Sequence, residues 1–198
     1  MRIRPALIAT LLAFPLASCQ NSTTTTSPLV ASRSMDVTGP GVVAHVSVGS
    51  NDLCLAEGLK PGCDANFSLV ADKYSNGTVQ GQWEDEFGKD ANGNQLGGVH
   101  VAINCLVAEP FTVGTYTWPI AWVSGVVTQT TSPDFTVGEG VITVALDRSH
   151  NTQSDRFQDL TSFTIPMSAI GVTSCQDRPY LPVYLNKPFT GQVTIWYK

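Results

Sequence analysis

The chain has few charged residues and no cluster of basic ones. Charged residues make up only 14% of its 198 residues, and its 11 basic residues are scattered among 16 acidic ones. Because binding to nucleic acid depends on grouped cations that neutralise phosphates, this distribution argues against a nucleic-acid partner. Low charge with abundant Gly, Ser, Thr and Asn is more typical of an exported β-protein than of a cytosolic enzyme.

Sequence motifs of common catalytic and metal sites are also missing. The chain has no Gly-x-Ser-x-Gly or His-Glu-x-x-His motif, and its three histidines, His45, His100 and His150, are far apart in sequence. No Cys-x-x-Cys pair or cysteine and histidine cluster has the spacing of metal ligands. The sequence therefore predicts no catalytic residue, no metal and no cofactor.

The first residues carry the marks of an export signal. Arg2 and Arg4 precede an apolar stretch at residues 6–16, which is too short to span a bilayer. The sequence LASC that ends at Cys19 resembles the lipobox of bacterial lipoproteins. This resemblance implies cleavage before Cys19 and lipidation of that residue, by groups such as palmitate. The alternative is a cleaved secretory signal with a chance cysteine.

A lipid on Cys19 implies a membrane partner and a location in the bacterial cell envelope. Gln20 stands where the signal for inner-membrane retention has Asp, which implies the outer membrane in a cell with two membranes. The next residues are rich in Ser and Thr and hold too little apolar surface to fold. The predicted organisation is a signal peptide at 1–18, a lipidated flexible tether at 19–36 and one domain at 37–198.

The domain contains four further cysteines, Cys54, Cys63, Cys105 and Cys175. An even number in an exported chain predicts disulfides, because compartments outside the cytosol are oxidising. Four cysteines allow three pairings. We favour Cys54 with Cys63, which closes a short loop, and Cys105 with Cys175, which ties a central strand to the C-terminal section. In the loop-entropy model these links contribute about 3 and about 4 kcal/mol.

Polar and apolar residues alternate through much of the domain, which predicts β-strands. Asn76-Gly77 is typical of a hairpin turn, because both residues tolerate positive φ. The apolar residues at 99, 101, 103 and 105 are expected on one face of a strand. We predict strands at 42–48, 67–74, 79–87, 99–105, 120–129, 140–146, 163–166 and 192–197. The predicted fold class is all-β, a single antiparallel β-sandwich or small β-barrel of about eight strands.

The sequence DANGN at residues 90–94 begins like a calcium-binding EF-hand loop. Gln95 and Val101, however, occupy the positions of the required Gly and the bidentate Glu. A second hairpin turn explains the segment better. The acidic residues 84–86 and Asp90 could hold a cation loosely, although an acidic strand end that faces water is the more ordinary interpretation.

Several segments resemble, in order, the pattern of an uncharacterised family of exported bacterial β-domain proteins. These segments are FSLVA at 67–71, NGTVQGQ at 76–82, VAINC at 101–105 and AWVSGVVT at 121–128. The family pattern is FSF-A, DG-x-x-x-G, V-x-C and A-x-x-x-GVVT, with Asn76 here in place of the usual Asp. The likeness covers most of the domain. It implies a β-fold and export, and it carries over no catalytic residue.

Residues 108–119, which look like an insertion relative to that pattern, bring aromatic residues together. Tyr116, Trp118 and Trp122 are candidate ligand contacts, because flat rings stack on sugars and line barrel mouths. Pro119 disfavours a central strand position, so we expect Tyr116 and Trp118 at an exposed edge. For Trp122, as for Trp83, burial in the core is the more ordinary interpretation. A carbohydrate, a small apolar ligand or an envelope protein is the expected partner.

One polar cluster keeps an enzymatic alternative open. Asp147, His150, Asp155 and Asp159 lie close in sequence and could assemble an acid-base or cation site, although a solvated loop is the more ordinary interpretation. The alternative function is thus an exported hydrolase that uses the Asp147 to Asp159 loop. The favoured function is a membrane-anchored, non-catalytic module that binds a ligand or has a structural role in the envelope.

Overall fold

The computed structural model describes residues 40–52, 65–90, 92–149, 158–179 and 189–198. Its elements are β1 (Val42–Asp52), β2 (Asn66–Tyr74), β3 (Val79–Glu86), β4 (Gly98–Val113), β5 (Tyr116–Thr130), β6 (Gly140–Leu146), β7 (Leu160–Thr161), β8 (Ile165–Pro166), α1 (Met167–Ile170), a 3-10 turn (Cys175–Asp177) and β9 (Phe189–Tyr197). The predictions for Cys19, the tether, Cys54, Cys63, His150 and Asp155 lie outside the described residues.

The strands form one antiparallel sheet that curls into a nearly closed barrel. Their order is β7, β6, β5, β4, β3, β2, β1, β9, and β8 also pairs with β6. Successive strands from β1 to β6 are therefore neighbours, and the last strand returns to lie beside the first. This confirms the all-β prediction, and a single curled sheet decides for a barrel over a sandwich.

The first predicted hairpin joins β2 to β3. Gly77 has a φ of 85°, whereas Asn76 stays outside the left-handed region and accepts a hydrogen bond from the backbone N–H of Thr78 at 3.0 Å. The N–H of Tyr74 donates to the carbonyl of Thr78 at 2.9 Å, which closes the loop. The predicted hairpin is confirmed. In its turn, however, only Gly77 adopts the left-handed backbone conformation, and Asn76 does not.

A β-bulge in β4 changes the face on which Cys105 lies. Ile103 pairs with Gly125 and Cys105 pairs with Ser124, so Asn104 is an extra residue on this strand. Such a residue shifts the alternation of side chains by one position. Ile103 packs in the barrel interior, whereas Cys105 packs with the hydrophobic cluster outside it. The prediction that Cys105 shares a face with the preceding apolar residues is therefore wrong.

Large side chains fill the barrel interior. Trp83 and Phe67 are almost fully buried, and Phe67 meets Phe163 edge to face with ring centroids 5.6 Å apart. The indole N–H of Trp83 donates to the hydroxyl of Thr164 at 3.0 Å. The N–H of Thr164 in turn donates to the carboxylate of Asp85 at 2.9 Å. These contacts hold residues 163 and 164 against the interior.

A second hydrophobic cluster covers the outer side of β5 and β6. It contains Val107, Trp118, Ile120, Trp122, Ile142, Val144, Leu146, Ile165 and Cys175. The segment from β8 to the 3-10 turn lies over these strands, which explains why β6 is apolar at nearly every position. In the part of the chain that the structure describes, no helix has the length and apolar character needed to cross a membrane.

The predicted Cys105–Cys175 disulfide is present and links this covering segment to β4. The indole N–H of Trp122 donates to the carbonyl of Pro179 at 3.0 Å, which attaches the covering segment to the sheet at a second point. Trp122 is 6% exposed and Trp83 1% exposed, so the expected burial of both rings is confirmed.

The carboxylate of Asp177 organises the turn that carries Cys175. It accepts hydrogen bonds from the backbone N–H groups of Thr173 at 2.7 Å and Ser174 at 3.1 Å, and from the Thr173 hydroxyl at 3.1 Å. The N–H of Thr173, followed by that of Ser174, lowers the pKa of Asp177 below 3.8, because these bonds favour the charged form.

We expect Asp177 to stabilise the folded protein only when its carboxylate is ionised. Because its folded pKa is lowered, this contribution is present above about pH 4 and is lost as the pH falls through the folded value. Asp177→Asn should destabilise the protein at pH 7 and converge with wild type in acid, as measured by urea unfolding across pH. Asp134→Asn, at an exposed loop, is the control. Parallel curves for Asp177→Asn and wild type would contradict the assignment.

Candidate functional site

Two buried carboxylates lie at the seam between β9 and the opposite edge of the sheet. Asp147 follows β6 and Asp159 precedes β7, and they are 3% and 7% exposed. Oδ2 of Asp159 accepts the backbone N–H of Val193 at 2.9 Å, and Oδ2 of Asp147 accepts that of Ile195 at 3.2 Å. The two carboxylates thus satisfy donors of β9 where pairing between strands stops.

Asp159 also holds the chain that leaves β6. Its Oδ1 accepts the backbone N–H groups of Arg148 at 2.8 Å and Ser149 at 2.9 Å, and the Ser149 hydroxyl donates to Oδ2 at 3.3 Å. A general base must reach a proton on its substrate. Because its oxygens are buried and already accept these bonds, the geometry favours a structural role for Asp159 over the hydrolase alternative.

The candidate aromatic contacts differ in exposure. Tyr116 is 42% exposed, whereas Trp118 is 7% exposed. The Tyr116 ring stacks on Trp118 with centroids 5.4 Å apart, and the guanidinium of Arg148 lies 5.4 Å from the centroid of Trp118. The expected exposure of Trp118 is therefore wrong, because these neighbours and the outer cluster cover its ring. A ligand-binding role for Tyr116, Trp118 or Trp122 stays a prediction.

A cleft of about 470 Å³ lies at the polar outer face of β3 and β4. We call it the β3–β4 cleft. The described residues that line it include the polar Asn66, Glu84, Glu86, Gln95, His100, Gln129, Thr130 and Thr131, and none of the described lining residues is a lysine or arginine. Two neighbouring clefts of about 310 and 390 Å³ share Glu84 with it. Glu84 is therefore central to a polar region larger than one cleft.

Strand register places the polar side chains of the β3–β4 cleft. Glu84 lies opposite His100, and Asn66 lies opposite Glu86. Nδ1 of His100 is 3.2 Å from Oε1 of Glu84, and Nδ2 of Asn66 donates to Oε2 of Glu86 at 3.1 Å. About half of each side chain in the Glu84 and His100 pair is exposed, so a ligand can reach both.

Gly97 brings two backbone segments together at the rim of this cleft. Its φ is 83°, and a Cβ there would lie 2.6 Å from the backbone of Thr131 and Ser132. Any larger residue would therefore force the segment before β4 away from the end of β5. The close approach helps to define the shape of the cleft.

The acidic residues that were the alternative candidates for a loosely held cation do not assemble. Glu84 and Glu86 face outward, whereas Asp85 is buried on the inner face. The side chain of Asn94, followed by its backbone N–H, donates to Asp90 and lowers the pKa of that carboxyl. These bonds form the predicted second turn. Within the described ranges, no group of three or more His, Cys, Asp or Glu residues could hold a metal ion.

The outer face also carries a second polar and aromatic group at its other end. Nδ1 of His45 is 2.8 Å from Oδ1 of Asp72, and the rings of His45 and Trp196 stack with centroids 5.8 Å apart. Trp196 keeps part of its ring exposed. From the spacing between strands and the rise per residue, Trp196 lies about 20 Å from Glu84 along the sheet. The sequence gives one signal for this group, the outward position of His45 in the strand alternation, and this signal alone does not predict it.

Comparison of the chain with models of protein families, with curated proteins and with solved structures found no match. The resemblance to a family of exported β-domain proteins therefore stays a prediction.

Proposed function

We propose that this protein is a lipid-anchored, non-catalytic binding module of the bacterial cell envelope, and that it binds a carbohydrate in the β3–β4 cleft. The observation that carries the proposal is the lining of that cleft. Sugar hydroxyls both donate and accept hydrogen bonds, and the carboxylates, amides and hydroxyls of the cleft supply acceptors and donors for them.

The charge of the cleft narrows the ligand class. Glu84 and Glu86 contribute negative charge, and the described part of the lining has no lysine or arginine to balance it. An anionic sugar would therefore be repelled, whereas a neutral or amino sugar would not. The exposed ring of Trp196 on the same face offers a stacking surface to a longer glycan.

The barrel interior offers less support for a small apolar ligand. Some eight-stranded barrels hold one small ligand inside, but others are filled by their own side chains. Here Trp83, Phe67 and Phe163 pack within the interior at 7% exposure or less. The surface cleft is the better candidate for the site.

The anchor and the location rest on the sequence that ends at Cys19. Lipidation would keep the domain in the envelope through the tether at 19–36, where it meets glycans. Mass spectrometry of the mature protein should find a diacylglyceryl group and an acylated amino group on Cys19. An unmodified amino terminus on freely soluble protein would contradict the anchor without bearing on the cleft.

The carbohydrate proposal predicts that loss of a polar group in the cleft weakens binding. The full chain in detergent micelles is titrated with the tetramer of N-acetylglucosamine and mixed with purified peptidoglycan. Glu84→Gln and His100→Ala should each lower affinity at least tenfold, since hydrogen bonds to charged groups contribute about 1.5–3 kcal/mol. Asp134→Asn, an exposed carboxylate outside the cleft, should bind as wild type does.

Two results would overturn this proposal. One is the absence of binding to both probes, and the other is wild-type affinity in both cleft variants. Hydrolysis of either probe, abolished by His150→Ala, would instead support the hydrolase alternative.

A further inference from the structure

Basic residues converge at one end of the barrel although the chain as a whole is acidic. A cleft of about 210 Å³ there is lined by Lys73, Arg178 and Lys198, together with Tyr197 and Glu109. The described ranges contain five lysine and arginine residues, so three of the five line this one cleft. We call it the basic cleft. It shares no lining residue with the β3–β4 cleft.

Strand register brings two of these side chains to the same place. Ala44 of β1 lies opposite Lys73 of β2 on one side and opposite Tyr197 of β9 on the other. Residues opposite each other on neighbouring strands point to the same face. Because Ala44 is buried in the interior cluster, Lys73 and Tyr197 lie on the inner side of the sheet at its end. The backbone N–H of Lys198 donates to Val43, which fixes the end of β9 beside them.

Arg178 approaches the basic cleft from the opposite wall. It follows the 3-10 turn that the Cys105–Cys175 disulfide fixes against β4. Its Nε lies 3.0 Å from Oε2 of Glu109, which orients the guanidinium while about half of the side chain stays exposed. Lys73 and Lys198 have no ion-pair partner among the described residues. Among the described residues that line the basic cleft, Glu109 is thus the one acidic side chain, and it faces three basic ones.

The backbone of Arg178 adds a separate observation. Its φ is 45°, and only one other residue of the described ranges, Phe163, combines a side chain with a positive φ. Glycine adopts this conformation without the steric penalty that a side chain brings. The side chain of Arg178 is therefore kept here at a cost in backbone energy that a glycine would avoid, and its ion pair with Glu109 is one use of it.

We propose that the basic cleft is a binding site for a phosphate group. Arginine and lysine are the residues that proteins use for phosphate, the first through a fork of N–H donors and the second as a point charge. Here the cations reach the cleft from different elements, which suits a tetrahedral anion better than a planar carboxylate. The volume fits a small anionic group, either free in solution or carried as a lipid headgroup. This site is independent of the carbohydrate proposal.

The test measures phosphate affinity of the full chain in non-ionic detergent micelles. One arm titrates inorganic phosphate and glycerol phosphate, and the other adds phosphatidylglycerol to the micelles. Lys73→Gln and Arg178→Gly should each weaken binding about tenfold, which corresponds to one charge-assisted contact. Lys89→Gln, a basic residue outside the cleft, should leave it unchanged. Arg178→Gly relieves the backbone conformation, so its fold is expected to persist, and thermal unfolding checks this.

The two arms separate the sources of the phosphate group. Tighter binding to phosphatidylglycerol than to glycerol phosphate would identify a lipid headgroup, and equal or weaker binding would identify a soluble phosphate. Either result supports the site if both cleft variants lose affinity. The proposal is overturned if neither arm shows binding, or if Arg178→Gly and Lys73→Gln bind as tightly as Lys89→Gln does.

Discussion

Asp159→Ala should lower the free energy of unfolding by about 3 kcal/mol. The substitution removes the acceptor of the buried backbone N–H of Val193 and of the part-buried N–H groups of Arg148 and Ser149. A buried donor that loses its partner costs about 1–3 kcal/mol, and the N–H groups of Arg148 and Ser149 add less because water can reach them. Urea unfolding measures the change.

The Asp159→Ala substitution should destabilise the seam beside β9 more than the rest of the sheet. Hydrogen exchange of the Val193 and Ile195 amides should accelerate in Asp159→Ala more than exchange in β2 or β3, because the seam opens first. Asp159→Asn, which keeps one acceptor oxygen, should lose less stability than the alanine variant. Asp134→Ala should change stability by less than about 0.5 kcal/mol. An Asp159→Ala protein that is as stable as this control would refute the role of Asp159 in closing the barrel.

Loss of the Cys105–Cys175 disulfide should have an effect of similar size. The bond spans a sequence separation of 70, and in the loop-entropy model the removal of such a link costs about 4 kcal/mol. The double variant Cys105→Ala, Cys175→Ala should also loosen the segment that covers Trp122. A red shift of tryptophan fluorescence before global unfolding reports this loosening, and urea unfolding reports the stability.

The double variant Cys54→Ala, Cys63→Ala is a useful comparison. The predicted disulfide between these cysteines closes a short loop and should contribute less to the free energy of unfolding, about 3 kcal/mol. This variant leaves the covering segment attached, so its fluorescence before unfolding should match that of wild type. The disulfide would prove unnecessary if the Cys105→Ala, Cys175→Ala variant had a free energy of unfolding within about 1 kcal/mol of wild type and unchanged fluorescence. Packing and hydrogen bonds would then be enough to hold the covering segment.

Local patterns in the sequence were sufficient for most of the strands. Alternation along β1, β2 and β3 is a property of neighbouring residues, and so is the turn chemistry of Asn76-Gly77. Both are therefore readable without knowledge of the fold. The pairing of Cys105 with Cys175 was predictable because few combinations of cysteines exist.

The sequence patterns failed where distant segments meet. The bulge at Asn104 reversed the predicted face of Cys105, since pairing with β5 decides where an extra residue is accommodated. Trp118 was expected at an edge because of Pro119, but Tyr116, Arg148 and the outer cluster bury it. The β3–β4 cleft depends on the register that sets Glu84 opposite His100 across a long connection, which the sequence does not specify.

By itself, the sequence of this protein determined an all-β fold and its hairpin turns, because alternation and turn residues act over a few neighbouring positions. Only the tertiary structure decided that the sheet curls into a nearly closed barrel, that Asp147 and Asp159 bridge its seam, and that polar and basic residues gather in two separate clefts. These features depend on sheet curvature and strand register, which arise when residues far apart in the chain pack together.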